Sequence, residues 1–310
     1  MLSRRQLRIK VLQSLYSFYQ SEKSDLASAE RELYRSIDKV YELYLFLLLL
    51  LNELGEADLQ DAEDLHQKHF PKEDELKAKN RFHQLSFLQK LSSDENFQKE
   101  LKNHKLTWQK EHELVKKIFL EIKKTTEYRN FLMNKAEVTE KDFLTAIVKN
   151  CIEQSESLKN YIEENNIYWI EDFSFICHIV IKSMKDFYQT KKLELIPVYK
   201  DEDDKKYVRD LFTKTILNDK EYEEAIASKT QNWEVERIAL IDMILLKMAM
   251  AELIAFPGIP VKVTINEYID ISKDYSTPKS RQFINGIIDK LADEYKKAGK
   301  IVKTGRGLME

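Results

Sequence analysis

Apolar side chains recur at three- and four-residue intervals through most of this chain, a spacing typical of amphipathic α-helices. The first such segment begins with Ser3 and Gln6, which have the spacing of a capping box at a helix N-terminus. Its apolar stripe comprises Leu7, Val11, Leu12, Leu15, Phe18 and Tyr19. Its polar face comprises Gln6, Lys10, Gln13, Ser17 and Gln20. The pattern therefore predicts an N-terminal helix with one buried and one solvated face.

The same spacing predicts helices along the rest of the chain. They are expected at residues 33–54, 111–124, 141–161, 170–188, 204–217, 233–255, 265–275 and 279–297. Further helices are expected within the highly charged residues 55–103, without defined bounds. Residues 259–265 (IPVKVTI) come nearest to a strand, and a helix N-terminus capped by Thr264 fits them equally well. The chain is therefore predicted to be all-α.

Glycine and proline are scarce, with six and five residues among 310. This argues against turn-rich sheet folds and phosphate loops, because both need glycine for positive φ or close backbone approach. The apolar run at residues 43–51 is about half the ~20 residues of a membrane-spanning helix, so it predicts a buried helix. Cys151 and Cys177 lie far apart without a CxxC motif, which indicates buried, reduced thiols in a cytoplasmic protein.

Charged residues make up 33% of the chain, but the formal net charge is −3, so a nucleic-acid site must come from a local cluster. One cluster opens the chain, where Arg4, Arg5, Arg8 and Lys10 precede the first acidic residue, Glu22. Cations in a first turn oppose the helix macrodipole, so helix stability does not explain them, whereas a bound polyanion would. Tyr16 or Tyr19 would then offer a stacking face for RNA bases. The alternative is a solvated basic end with both tyrosines in the core.

A second cluster lies at the start of the last predicted helix. Thr277 is placed as an N-cap with Pro278 at the first helical position. Free backbone N–H groups and cations together favour an anion at such a helix start. The side chains that crowd this first turn are Lys279, Ser280 and Arg281, and the expected buried stripe is Ile284, Ile287, Ile288 and Leu291. Gly286 costs the helix about 1 kcal/mol relative to alanine, which predicts close packing against another helix.

Residues 233–253 are apolar nearly all round, as expected for a helix at the centre of a bundle. Asp242 and Lys247 interrupt this apolar surface. They are either edge residues of the bundle or contacts to a partner.

The segments around these two features resemble the NusB family. The resemblance rests on Trp233, Glu236, Arg237, Ile238, Ile241 and Asp242, on residues 251–253 and 259–267, and on Lys279, Ser280, Phe283, Asn285, Gly286, Asp289 and Lys290. The opening arginines, through Leu15 and Tyr16, resemble the arginine-rich first helix of the family. Together these segments cover residues 1–20 and 200–300.

The resemblance implies two small helical bundles of NusB type, with no catalysis and no cofactor. It further implies binding to boxA-type single-stranded RNA jointly with NusE, a small-subunit ribosomal protein, in the transcription elongation complex. The positions that it assigns to RNA are Arg4, Arg5, Arg8, Tyr16, Lys279, Ser280 and Phe283. Asp242 falls where the family uses an acidic residue near the NusE surface.

The family usually has a short connection where this chain has about 180 residues. Residues 1–20 and 199–300 are therefore predicted to form a discontinuous NusB-like core, and residues 21–198 an inserted helical domain whose role the sequence does not indicate. Residues 301–310 form a basic tail, either disordered or a further RNA contact. A metal-like cluster of His66, His69, Asp61, Glu63 and Asp64 is interpreted as the charged surface of a helix, without metal.

Two rival functions follow from the resemblance. NusB-like domains also occur fused to rRNA cytosine methyltransferases, but such an enzyme needs a doubly wound domain with a glycine-bearing cofactor loop, and neither pattern is present here. The second rival is a helical scaffold that binds protein and not RNA.

Overall fold

The computed structural model describes residues 1–21, 25–65, 78–134, 138–230 and 238–308. Over these residues the chain forms α-helices and short helical turns without a strand, which confirms the all-α prediction. The helices are α1 (Arg4–Gln20), α2 (Leu26–Leu65), α3 (Ser86–Ser93), α4 (Glu95–His104), α5 (His112–Lys123), α6 (Thr126–Leu132), α7 (Glu140–Ala146), α8 (Glu156–Asn165), α9 (Phe173–Thr190), α10 (Glu202–Leu217), α11 (Asp219–Lys229), α12 (Leu240–Ala255), α13 (Val261–Tyr275) and α14 (Pro278–Lys297). Short 3-10 turns occupy Phe82–Gln84 and Gly305–Leu308.

The chain divides into two compact units. The terminal unit comprises Met1–Ile37 and Tyr199–Glu310, and the central unit comprises Asp38–Val198. Helix α2 begins in the terminal unit and ends in the central one.

The capping box predicted for α1 is confirmed, since the Ser3 side chain accepts from the Gln6 backbone and the Gln6 side chain accepts from the Ser3 backbone. The stripe of Leu7, Val11, Leu12 and Leu15 is buried as expected. Lys10 is the exception to the predicted polar face, because its side chain is also buried. The buried face of α1 is therefore wider than the sequence pattern indicates.

Helix α12 is the centre of the terminal unit, with α1, α10, α11, α13 and α14 packed around it. Every side chain from Asp242 to Leu253 is buried, which agrees with an apolar surface on all sides. The predicted start of this helix at Trp233 lies outside the described residues, as do Glu236 and Arg237.

Helix α13 begins at Val261, four residues before the predicted start, so the strand alternative for residues 259–265 is wrong. Thr264 does not cap the helix. Pro260 occupies the N-cap position, and Thr264 lies fully buried within the first turns. Its hydroxyl donates to Glu252 on α12. This side chain therefore links two helices instead of capping the start of one.

Helix α14 begins as predicted, with Thr277 accepting from the backbone of Ser280 and Pro278 in the first turn. The stripe of Ile284, Ile287, Ile288 and Leu291 is buried. The close packing predicted for Gly286 is not found among the described residues, since none of them has an atom within 4 Å of a Cβ added there.

The residues after α14 are packed, which rules out the disordered alternative for 301–308. Ile301 is buried, the Thr304 amide donates to the Pro257 carbonyl at 3.0 Å, and Lys303 Nζ donates to the Phe256 carbonyl. A Cβ on Gly307 would lie 1.9 Å from the Pro257 carbonyl oxygen, so this turn needs glycine for close approach.

The central unit is built on α2, whose run Leu43–Leu51 is entirely buried, as predicted. Phe46 on this run stacks against Trp108 with ring centroids 4.1 Å apart, and Trp169 lies 5.0 Å away on a tilted ring plane. Among the described helices, none combines the length and the apolar character needed to cross a membrane. The apolar run therefore serves the core of this unit.

The helix predicted at residues 141–161 is wrong as a single element. Helix α7 widens into a π-helical turn at Ile147–Ile152 and ends, and Ser155 caps a new helix by accepting from the Leu158 backbone. A serine side chain can bind backbone N–H groups in this way and so start a new helix. The spacing of apolar residues, from which a single helix was predicted, does not reveal such a cap. The remaining predicted helices are present with shifted bounds, and α6 and α11 were not predicted.

Cys177 is buried and Cys151 half-buried, and both are free thiols. Burial is the main cause that raises the pKa of Cys177 to about 12 and that of Cys151 to about 11. Both therefore stay protonated at neutral pH.

Candidate nucleic-acid interface

The first arginine of α1 is paired within the terminal unit. Arg4 Nε lies 2.5 Å from the Asp204 carboxylate at the start of α10, and its guanidinium lies 4.2 Å from the centroid of the Tyr207 ring. The Arg4 side chain is partly exposed, whereas the Asp204 carboxylate is buried, so only the arginine side of the pair reaches solvent.

Arg5 forms a fork with two carboxylates of α13. Its Nε and Nη2 each lie 3.0 Å from an oxygen of Glu267, and Nη2 lies 2.9 Å from Asp270. The hydrogen bond to Glu267 raises the pKa of Arg5 above its usual value. The side chain is 44% exposed, so this arginine reaches solvent while its charge is compensated.

Arg8 is buried, with 3% of its side chain exposed, and it cannot contact RNA directly in this structure. Its Nη2 and Nε lie 2.7 Å and 2.8 Å from the two oxygens of Glu252, which is fully buried on α12. Burial alone would raise the pKa of Glu252, but the hydrogen bond and charge of Arg8 outweigh it, and the pKa lies below its usual value. The role that the resemblance implies for Arg8 therefore becomes one of positioning α1.

Of the two tyrosines considered for base stacking, only Tyr16 presents its ring, with 40% of the residue exposed. Tyr19 is partly buried, its hydroxyl donates to Asp219, and Lys247 Nζ lies 5.4 Å from its ring centroid. Tyr19 thus belongs to the core of the unit.

The start of α14 differs from α1 in that its cations have no carboxylate partner among the described residues. Lys279 and Arg281 are exposed and form no ion pair with any described residue. Ser280 faces Thr277, with their hydroxyls 2.9 Å apart, and Phe283 is half-buried one turn further along. These two cations lie at a helix start, where backbone N–H groups add to their positive charge.

Asp242 and Lys247 are both buried and serve the fold. The Asp242 carboxylate accepts from the Ser276 hydroxyl at 2.5 Å and so fixes the turn that precedes α14. Lys247 Nζ lies 2.7 Å from Asp219 and 2.6 Å from Glu223 on α11. The place near the NusE surface that the resemblance implies for Asp242 stays a prediction.

A cleft of about 850 Å³ runs between α13 and α14 beside these free cations. Its lining comprises Asn266, Ile269, Asp270, Lys273, Thr277, Pro278, Arg281, Gln282 and Asn285. Asp270 joins the cleft to α1, because it pairs with Arg5 and also with Lys273. The hydrogen bond from Lys273 is the main reason that the pKa of Asp270 lies below its usual value.

Sequence reasoning did not single out most of this lining. The available signal was spacing, since 266, 269, 270 and 273 on α13 and 278, 281, 282 and 285 on α14 each repeat at three and four residues. That spacing defines one face of each helix. It does not show that the two faces oppose each other, which depends on the packing of the helix pair.

A second, larger groove of about 1380 Å³ in the terminal unit lies among the starts of α1, α10 and α13 and residues 304–306. Its charges nearly cancel, since the lining carries six cationic side chains (Arg4, Arg5, Arg8, Lys200, Lys206 and Arg306) and five carboxylates (Asp201, Asp203, Asp204, Asp210 and Glu267). No cluster of three or more metal-ligating side chains occurs among the described residues. His66 and His69 lie outside them.

These features define a class of protein: an all-helical fold with an arginine-bearing first helix, a buried central helix and a cationic start to the last long helix. Comparison with known proteins supports this description. A family model described as NusB family matches residues 173–293, a range that also includes α9 of the central unit. No solved structure gave a significant match.

Three similar relatives each carry the name transcription antitermination protein NusB. The protein from Salinibacter ruber is 41% identical over 114 residues, which are 37% of this chain and 71% of the relative. That from Chloroherpeton thalassium is 41% identical over 106 residues, 34% of this chain and 50% of the relative. That from Natranaerobius thermophilus is 34% identical over 92 residues, 30% and 66% respectively. The chain belongs to the NusB family.

Proposed function

We propose that this chain is a cytoplasmic transcription antitermination factor that binds boxA-type single-stranded RNA together with NusE and supports rRNA transcription. The names of its relatives support the general role. The observation that carries RNA binding is the free cationic start of α14, where Lys279 and Arg281 lack carboxylate partners among the described residues.

In this proposal RNA phosphates lie along the start of α14. Lys279, Arg281 and the Ser280 hydroxyl contact them, and bases stack on Phe283 and Tyr16. Arg5 joins by exchanging its carboxylate partners for phosphate, which an exposed ion pair allows because it contributes at most about 1 kcal/mol. Arg4 contacts phosphate with the N–H groups that Asp204 does not occupy, because that buried carboxylate keeps its ion pair. NusE adds its own contacts, so the ternary complex is tighter than either pair.

The test is fluorescence anisotropy of a short boxA-type RNA with the full-length protein, with and without NusE, over a salt series. Four neutralised phosphates on a single strand give a log–log salt slope of about −3. We expect a slope of this size and tighter binding with NusE present. A flat salt response contradicts the electrostatic part of the proposal.

The informative variants are Lys279→Ala with Arg281→Ala, because both side chains are exposed and their loss leaves the fold intact. We expect the double variant to reduce the slope by about 1.4, since each lost phosphate contact on a single strand accounts for about 0.7. Lys290→Ala, an exposed lysine further along the same helix, is the matched control and should leave the slope unchanged. Arg8→Ala is unsuitable because it breaks a buried ion pair.

A scaffold that binds protein without RNA is the second candidate. The observation that favours it is the pairing of all three α1 arginines with carboxylates of the same unit. A scaffold would keep its NusE affinity in the Lys279/Arg281 variant and would show no salt-dependent RNA binding in the unaltered protein.

A further inference from the structure

The cleft between α13 and α14 has hydrogen-bonding groups that the fold does not use. The side-chain amides of Asn266, Gln282 and Asn285 all line it, and none of them bonds to another described residue. A primary amide carries two donors and an acceptor at fixed geometry. Three such groups in one cleft can satisfy the edge of a flat polar ring.

The cleft also supplies apolar surface and has a suitable size. Ile269 on α13 and Pro278 on α14 lie among the amides and can cover the face of a ring. Its volume of about 850 Å³ lies within the range of about 300 to 1,000 Å³ typical of small-molecule sites. A single nucleotide fits within this volume, and a folded duplex does not.

The charges at its rim are arranged for a nucleotide with its phosphate outside. Arg281 lies in the lining without an ion-pair partner among the described residues, at the start of α14. On the other side Asp270 is compensated by both Arg5 and Lys273, so it does not repel an anion as a free carboxylate would. The phosphate is therefore expected at Arg281, with the base between the two helices.

We propose that the α13–α14 cleft binds one unpaired base of the RNA and reads it through Asn266, Gln282 and Asn285. Amide side chains pair best with the adjacent donor and acceptor of adenine, so adenine is the expected base. This inference rests on the proposed function but goes beyond it, because it assigns sequence preference to side chains outside the arginine-rich first helix.

The experiment compares short oligoadenylate and oligouridylate in the anisotropy assay with the full-length protein. We expect the unaltered protein to prefer oligoadenylate by about tenfold, which is the discrimination of one bidentate amide–base pair. The Gln282→Ala/Asn285→Ala variant should lose this preference and keep its salt slope. Arg281→Ala should weaken both RNAs alike and reduce the slope by about 0.7.

Asn96→Ala/Gln189→Ala is the matched control, because it removes the same two residue types from exposed helix positions outside the cleft. It should keep the adenine preference. Equal affinity of the unaltered protein for both RNAs, or a preference that survives the cleft variant, would overturn the inference while leaving salt-dependent RNA binding in place. Absence of any salt-dependent RNA binding would overturn the proposed function as well.

Discussion

Glu252 on α12 is the centre of a buried hydrogen-bond network in the terminal unit. Its fully buried carboxylate accepts hydrogen bonds from Arg8 on α1, Tyr207 on α10, and Thr264 and Tyr268 on α13. A buried ion pair contributes little net stability when intact, but removal of one partner costs about 3 to 5 kcal/mol because the other charge stays buried. This single side chain therefore links four helices, α1, α10, α12 and α13.

This arrangement predicts a loss of stability in acid. The pKa of Glu252 is lowered in the folded protein, so its contribution is present above the ordinary glutamate value of 4.5 and is lost as pH falls below it. We expect Glu252→Gln to destabilise the protein by about 3 kcal/mol at neutral pH, measured by urea unfolding. The difference between the unaltered protein and this variant should shrink as the pH falls below 4.5.

The surface variant Glu221→Gln is the control, since its carboxylate pairs with the exposed Lys300 outside this network. Its effect on stability should be at most about 1 kcal/mol. A Glu252→Gln difference that stays constant from neutral to acid pH would show that this carboxylate is not ionised in the folded state.

At the scale of the element, α14 combines a well-capped N-terminus with a glycine in its interior. Thr277 and Pro278 define its first turn, while a Cβ added at Gly286 in its middle would meet no described atom within 4 Å. In the part of the unit that the structure describes, nothing packs closely against this glycine. Its cost to the helix is about 1 kcal/mol relative to alanine.

We therefore expect Gly286→Ala to stabilise the protein by about 0.5 to 1 kcal/mol, measured as a rise in the urea midpoint of the helical circular dichroism signal. Gly307→Ala is the opposite case, because its Cβ would overlap the Pro257 carbonyl, and it should lower the midpoint. A destabilised Gly286→Ala variant would mean that another surface packs against this glycine.

At the scale of the whole molecule, each unit has a core of its own. In the central unit the Phe46, Trp108 and Trp169 rings pack around α2, and the buried Asp58 carboxylate accepts from Tyr128 and from the His83 backbone within the same unit. The surfaces proposed for RNA all lie in the terminal unit. We therefore expect the central unit to fold on its own and RNA binding to require the terminal unit.

We expect a fragment of residues 38–198 to be helical by circular dichroism and to unfold cooperatively in urea, without salt-dependent binding of boxA-type RNA. The full-length protein is the reference for both measurements. A fragment that lacks cooperative unfolding would show that the central core needs the terminal unit, and a fragment that binds the RNA would move part of the interface into the central unit.

The sequence by itself determined the all-α class, the capping of α1 and α14, the buried run on α2 and the apolar surface of α12. These are local properties, because a cap joins residues three apart and a buried stripe repeats every three or four residues. Breaks in this periodicity were harder to predict: the π-helical turn and the Ser155 cap divide one expected helix into two.

The candidate site was predicted only as a set of residue types. Arg4, Arg5 and Arg8 look equivalent in sequence, but Arg4 meets Asp204, Arg5 meets Glu267, and Arg8 is buried against Glu252. Each of these pairs joins residues 200 or more positions apart. Tertiary structure alone therefore decided which cations remain free to bind RNA, because charge compensation depends on which helices pack together and not on the local pattern of any one of them.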